Sequence, residues 1–300
     1  MMPRPHEELA VLRSVIYASL FDYPLTLSQL HASLIGVRTT AETIPVWWRN
    51  SELLRETVEY RDGLFFPAGR ADLLDTRRRR EAVSRGLLDD DRRLLSLASN
   101  MPFVRMVAVS GSLAHLNAEG SADLDLFVIT APRRVWLVTV SILVIAKLLG
   151  WRRRICLNYV VSERATRVEP EDLFSANQIV HLRPVKGEAV FDAFVKSNPF
   201  VHDFYPNFEF RMAPGSDGAR ARPLFERLLS LGPAQVGERV SRTLYGWHLR
   251  RRAARWRSRD QVRLEAECLK LHTSSHRAAT LERFDRAVMA ALGSRKVLAS

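Results

Sequence analysis

The chain has 300 residues, 47% of them hydrophobic and 26% charged, with only 14 Gly and 14 Pro. That mix supplies a substantial core and excludes a disordered, collagen-like or low-complexity protein, while the length predicts two or three domains. Net charge is +12 and uneven, balanced over residues 1–100 but 19 basic against 10 acidic over 201–300; since 40 of the 45 basic residues are Arg, base composition explains the bias as readily as phosphate recognition.

In chain order, Glu7 to Leu20 places Leu9, Leu12, Val15, Ile16 and Leu20 on one helical face. A turn at Asp22-Tyr23-Pro24 follows, with Thr26 as N-cap of a short helix to Ile35. A third helix spans Ile44 to Glu56. Val58-Glu59-Tyr60 and Leu64-Phe65-Phe66 then flank an Asp62-Gly63 hairpin turn. Three helices and a two-stranded wing predict a winged-helix module over residues 1–70. Its balanced charge argues for protein contact or spacing rather than DNA binding. Ala71 to Leu97 reads as a polar helix with Arg77 to Arg80 solvated, and residues 71–98 form a linker helix.

From Phe103 the pattern becomes strand, helix, strand, helix, strand: Val104–Val109, a helix from Ser112, Asp123–Ile129, Arg134–Leu149 and Ile155–Val161. The fold class expected is α+β with a mixed-sheet core over residues 99–210. Residues 211–223 are rich in breakers and read as a linker, and residues 224–300 as a C-terminal helical domain. The apolar run Val135 to Gly150 contains Lys147 and falls short of the roughly 20 residues of a membrane span. It predicts a buried helix and no membrane partner. Two cysteines and no apolar leader in Met1-Met-Pro-Arg-Pro lead us to expect a cytoplasmic address.

The informative stretch is Val107-Ala-Val-Ser-Gly-Ser112, ten residues, then Asp123-Leu-Asp-Leu-Phe-Val-Ile129. A strand entering Gly111-Ser112 lets a phosphate approach backbone that carries no Cβ, and a following helix would aim free N–H groups at it. Strict alternation sends Asp123 and Asp125 from one face and both leucines into the core. Paired carboxylates beside a phosphate cradle suit Mg²⁺, a hard ion held by one or two carboxylates plus phosphate oxygens. An ordinary Gly-Ser turn with solvated acids is the bland alternative. The strongly apolar flanks argue against it.

Gly111-Ser112, the spacer and Asp123-Leu-Asp125-Leu resemble the signature of the DNA polymerase β-like nucleotidyltransferase superfamily, directly over about residues 104–162. More loosely, the chain resembles bacterial proteins in which a winged helix precedes such a core and helices follow. The resemblance implies two-metal transfer of a nucleoside monophosphate from an NTP, ATP above all, to an acceptor, with pyrophosphate released. It implies that Gly111 and Ser112 hold the triphosphate and that Asp123 and Asp125 bind Mg²⁺ or Mn²⁺. The superfamily adds a third carboxylate from a neighbouring strand. Here Ile155, Leu157, Tyr159 and Val161 alternate with Cys156, Asn158 and Val160, so Asn158 takes the third position. An amide can ligate a metal but cannot act as general base, so the site is slow, uses another base such as Glu163, or is inactive.

Other candidates carry two readings each. His115, one turn after Ser112, would meet a phosphate or acceptor, or be structural. Arg152-Arg153-Arg154 would neutralise a triphosphate, or be solvated. Tyr245 to Arg263 holds seven arginines with Trp247 and Trp256 between them, fit for RNA or single-stranded nucleic acid, or for a bundle helix with the tryptophans in the core. Cys268, His272 and His276 recur every four residues. On a helix the outer two lie about 12 Å apart, too far for one zinc ion. The acceptor classes open to the core are small hydroxylated molecules, RNA and protein. Two further readings are a nucleotide sensor without turnover and a nucleic-acid-binding regulator acting through the basic C-terminal third.

Overall fold

The structure is a computed structural model that describes residues 2–120, 122–210, 224–230, 232–272 and 275–298. Helix α1 (Pro5–Ser19) buries Val11, Leu12, Val15 and Ile16. Strand β1 (Leu25–Thr26) leads into α2 (Leu27–Ala32), where the Gln29 N–H donates to Thr26 Oγ1 and the Gln29 side chain accepts from the Thr26 N–H. This capping box satisfies two N-terminal donors reciprocally. The expected third helix is two, α3 (Thr43–Asn50) and α4 (Glu52–Thr57). Ser51 between them is extended, and its hydroxyl caps α4 at the Leu54 N–H while donating to Glu8. Strands β2 (Val58–Arg61) and β3 (Leu64–Pro67) form the hairpin. Its turn residues, Asp62 and Gly63, have φ of 54° and 77°, as a two-residue turn matched to strand twist requires. Strand β1 adds to β3, giving an antiparallel sheet ordered β1-β3-β2.

The polar stretch after it is also two helices, α5 (Asp72–Asp90) and α6 (Arg92–Asn100), parted at Asp91. The expectation that Arg77 to Arg80 form a solvated face is corrected at two positions. Arg77 is 7% exposed, lies over the Tyr23 ring and donates to the Pro24 carbonyl and the Gln29 side chain. Arg80 reaches Asn117 and Glu119. Both act as ties because the N-terminal module packs against α5, and a guanidinium can saturate several carbonyl and carboxylate acceptors at once.

The central sheet takes β4 (Val104–Val109), β5 (Leu124–Thr130), β6 (Ile155–Ser162) and β7 (Arg183–Lys186) from the middle of the chain. Between them lie α7 (Gly111–Ala114), α8 (Val135–Leu148) and α9 (Leu173–Val180), and after β7 come α10 (Glu188–Lys196) and α11 (Phe200–Phe204). The expected 211–223 linker lies outside the described residues. Helices α12 (Leu224–Ser230) and α13 (Pro233–Arg252) follow it.

The C-terminal stretch is not all helical. Strands β8 (Val262–Leu264) and β9 (Cys268–Leu271) precede α14 (Arg277–Leu298), and β9 pairs antiparallel with β6. The sheet is therefore six-stranded and mixed, ordered β7-β4-β5-β6-β9-β8, with β5 and β6 parallel. An open β6 edge would leave a row of backbone groups unpaired, and β9 supplies the partners. The four-residue recurrence of Cys268, His272 and His276 is thus no helical face.

Both sheet faces are covered. Met106, Ala108, Phe127, Ile129 and Val161 join one core with α1, α9, α10 and α14, while Val107, Val109, Leu126, Val128 and Val160 join a second with α6, α8 and α13. Two-sided burial is why these strands are continuously apolar. Helix α8 is only half covered, with Val144 and Leu148 exposed. Trp247 is 53% exposed on α13, with Arg251 stacked on its ring, and so is not a core residue. Among the described residues no helix is long and apolar enough to cross a membrane.

Candidate functional site

The strand β4 ends at Val109, and Gly111 turns the chain with φ of +65°, a conformation that costs other residues a Cβ clash. A second constraint acts at the same position. A Cβ on Gly111 would lie 2.5 Å from Asp125 Oδ2, so the turn and the carboxylate touch only because the residue is glycine. The Ser110 N–H fixes the register by donating to the Asp125 carbonyl at 2.9 Å.

Asp123 stands just before β5 and is exposed; Asp125 is half-buried within the strand. Leu124 and Leu126 enter the core beneath α8, as the alternation requires. Burial first, and then the charge of Asp123, push the Asp125 carboxyl up to about 6. A site that gathers like charges and withdraws one from water favours a proton or a cation there.

Asn158 stands beside Asp125. Its amide Nδ2 donates to Asp125 Oδ1 at 2.9 Å, and its Oδ1 accepts from the Cys156 thiol at 3.0 Å. The expected alternation along this strand does not hold throughout. Asp125 is opposite Cys156 but Phe127 is opposite Tyr159, so β6 carries one extra residue there, a β-bulge. Beyond it Tyr159 and Val161 pack with the core on the Asp125 face, whereas Leu157 and Val160 pack on the other. Burial and the neighbouring carboxylate of Asp125 push the Cys156 thiol up to about 11.

Glu163, the expected alternative base, is misplaced for that role. Its N–H bonds the Thr130 carbonyl at the far end of β5, five residues beyond Asp125, and its carboxylate faces Arg105. At about 3.3 Å per residue this is the opposite end of the sheet. Of the three arginines before β6, Arg154 is paired with Asp91 at 2.8 Å, while Arg152 is exposed and close enough for its charge to act on Cys156.

Gly111, Ser112, Asp125 and Asn158 form part of the wall of a cavity of about 580 Å³. His115 also lines it, stacked on His181 with ring centroids 4.1 Å apart and met edge-on by Tyr23. Burial drives both imidazoles below their ordinary range. The opposite wall comes from α1, α9 and the start of α14, including Tyr17, Phe174, Asn177 and Thr280, with His272 after β9. Sequence reasoning missed Tyr17, Phe174, Asn177, His181 and Thr280, and weighed His272 only beside Cys268 and His276. No local pattern relates residues 17, 181 and 272, which the fold alone brings together.

Among the described residues no cluster of three or more His, Cys, Asp or Glu side chains is arranged to hold a metal ion. Two carboxylates remain. That donor set fits Mg²⁺ or Mn²⁺, hard ions that bind one or two carboxylates and complete their shell with water and other oxygen ligands. No protein-family model matches the chain, and no curated protein or solved structure shows significant similarity to it.

Proposed function

We propose that the chain is a metal-dependent nucleotidyltransferase that moves a nucleoside monophosphate from an NTP, ATP above all, to an acceptor and releases pyrophosphate. In this reading the four helices and small sheet of residues 5–67 are a winged-helix-like module, and the six-stranded sheet is a polymerase-β-like core. The observation that carries it is the contact of Gly111 with Asp125: a glycine demanded by both its φ and its distance to a half-buried carboxylate, at a strand end beside a second carboxylate.

Gly111 and Ser112 bind the triphosphate through exposed backbone, and Asp123 and Asp125 hold Mg²⁺. The ion, when bound, neutralises charge on the phosphates and polarises the α-phosphorus. Asn158 positions Asp125 through its amide hydrogen bond and stands as the neutral third member of the site. Arg152 supplies positive charge at the same end of β6. The acceptor hydroxyl oxygen forms a bond to the α-phosphorus, the bond from that phosphorus to the α–β bridging oxygen breaks, and pyrophosphate leaves with the electron pair. The hydroxyl proton passes to solvent, since among the described residues no third carboxylate stands at the site.

The test is pyrophosphate release from each NTP with Mg²⁺ or Mn²⁺ and cell extract as acceptor. Release by the wild type that falls at least about a hundredfold in Asp123→Asn/Asp125→Asn supports the reading; equal release by both proteins overturns it. Nucleotide binding without any release favours the sensor reading.

The exposed Trp247 under Arg251 on the basic end of α13 favours a second reading, contact with single-stranded nucleic acid. Affinity that falls steeply with salt and drops in Trp247→Ala supports it.

A further inference from the structure

We propose that the cavity behind Asp125 is the acceptor site, and that the acceptor is a small uncharged molecule with an aromatic or otherwise apolar body and a hydroxyl group. Its role as acceptor rests on the nucleotidyl-transfer reading; its ligand class rests on the cavity alone. At about 580 Å³ the space is that of a small-molecule pocket, which spans about 300–1,000 Å³. One wall holds Gly111, Ser112 and Asp125, so a ligand seated there lies against the proposed site of chemistry.

The wall chooses the ligand. Tyr17, Phe21, Tyr23, Phe127, Tyr159 and Phe174 line it, and they offer ring faces and edges to a flat apolar body. Among the described residues no lysine or arginine lines it, and the charged group it does carry is Asp125. Beyond the Gly111–Ser112 turn, where the triphosphate is placed, an RNA end or another polyanion entering this space would leave phosphates unpaired, at a prohibitive desolvation cost. Three of the four lining histidines do not supply the missing charge, because burial holds His115 and His181 below their ordinary range and His272 at about 4, and the fourth, His276, is exposed.

Two polar groups await a partner of hydroxyl type. Tyr17 is 3% exposed and lines the cavity, yet its hydroxyl is buried without a hydrogen-bond partner. Buried polar atoms are normally satisfied, so an orphan at a cavity wall points to a ligand. His181 donates Nδ1–H to the Asn177 carbonyl at 2.8 Å, which leaves Nε2 as an acceptor. A ligand hydroxyl both donates and accepts. In the transfer step its oxygen joins the α-phosphorus of the NTP, pyrophosphate departs with the electrons of the broken α–β bridge, and the hydroxyl proton goes to water.

The test begins with 1-naphthol and 1-naphthyl phosphate titrated into the full chain without nucleotide. Saturable one-site binding of 1-naphthol is expected, about tenfold or more tighter than the phosphate. Ala18→Phe, which fills the cavity from α1, is expected to lose it, and Tyr17→Phe to weaken it about three- to tenfold without lowering the thermal midpoint. Absent saturation, a preference for the phosphate, or binding unchanged in both variants overturns the ligand class. A second arm follows label from the NTP α-phosphate into cell extract. Label in an anionic product below about 1 kDa that a phosphodiesterase splits into labelled nucleoside monophosphate and an uncharged, solvent-extractable alcohol supports the acceptor class, whereas label in RNA or protein overturns it and leaves the transferase standing. Naphthol binding with no label transferred anywhere contradicts the transferase reading and the acceptor role together, and leaves the cavity's preference for neutral aromatics intact.

Discussion

At the scale of single residues the site is a problem of charge and close contact. Asp125 is held near 6 by burial and by Asp123, above the ordinary carboxylate value of 3.8. A carboxyl raised on folding contributes fully below its unfolded value, and that contribution is lost as pH rises through its folded value. We therefore expect Asp125→Asn to raise stability by about 2–3 kcal/mol at pH 8 and to change little at pH 3.5. Thermal unfolding without divalent cations at the two pH values checks this. Gly111→Ala places a methyl 2.5 Å from Asp125 Oδ2 at a positive φ. Displacing the carboxylate by about 1 Å is expected to cut pyrophosphate release about a hundredfold, as steady-state kinetics would show. The Gly-Ser turn and both aspartates were legible in the sequence because strand alternation and apolar flanks are local signals. The partners of Asn158 were not, because a one-residue bulge in β6 resets the alternation after Leu157 and no composition rule announces it.

At the scale of elements, the sequence pattern located most helices and strands but missed the breaks made by capping and by tertiary ties. Ser51 ends one helix and caps the next with the same hydroxyl that reaches Glu8, and Asp91 divides α5 from α6 while pairing with Arg154. The same cause misled the reading of Arg77, whose neighbours Arg78 and Arg79 are exposed as expected. Its guanidinium joins α5 to β1 and α2 through Pro24, Gln29 and the Tyr23 ring. Arg77→Ala is expected to destabilise the protein by about 2–4 kcal/mol, and Arg79→Ala by less than about 0.5 kcal/mol, as denaturant titration would show. The strands β8 and β9 were hidden for a different reason. A short strand that adds to an edge is specified by the partner it completes, and Cys268, His272 and His276 mimic helical spacing by chance.

At the scale of the whole molecule, the N-terminal helices, one face of the central sheet and α14 share a single apolar core, with Tyr17 of α1 edge-on to Phe284 of α14 at 5.2 Å. Elements that bury one another cannot unfold independently at low cost. We expect far-ultraviolet circular dichroism and tryptophan fluorescence to follow one coincident thermal transition; an early separate loss of the N-terminal helices would contradict the shared core. The same packing closes the cavity beside Asp125, so the N-terminal helices shape what reaches it. We propose that Asp123 and Asp125 receive a metal ion together with a nucleotide. Binding of α,β-methylene ATP, measured by calorimetry with Mn²⁺ and again with EDTA, tests it most directly. The wild type is expected to bind about tenfold or more tightly with Mn²⁺, and Asp123→Asn/Asp125→Asn to lose that difference. Metal dependence of equal size in both proteins would contradict the claim.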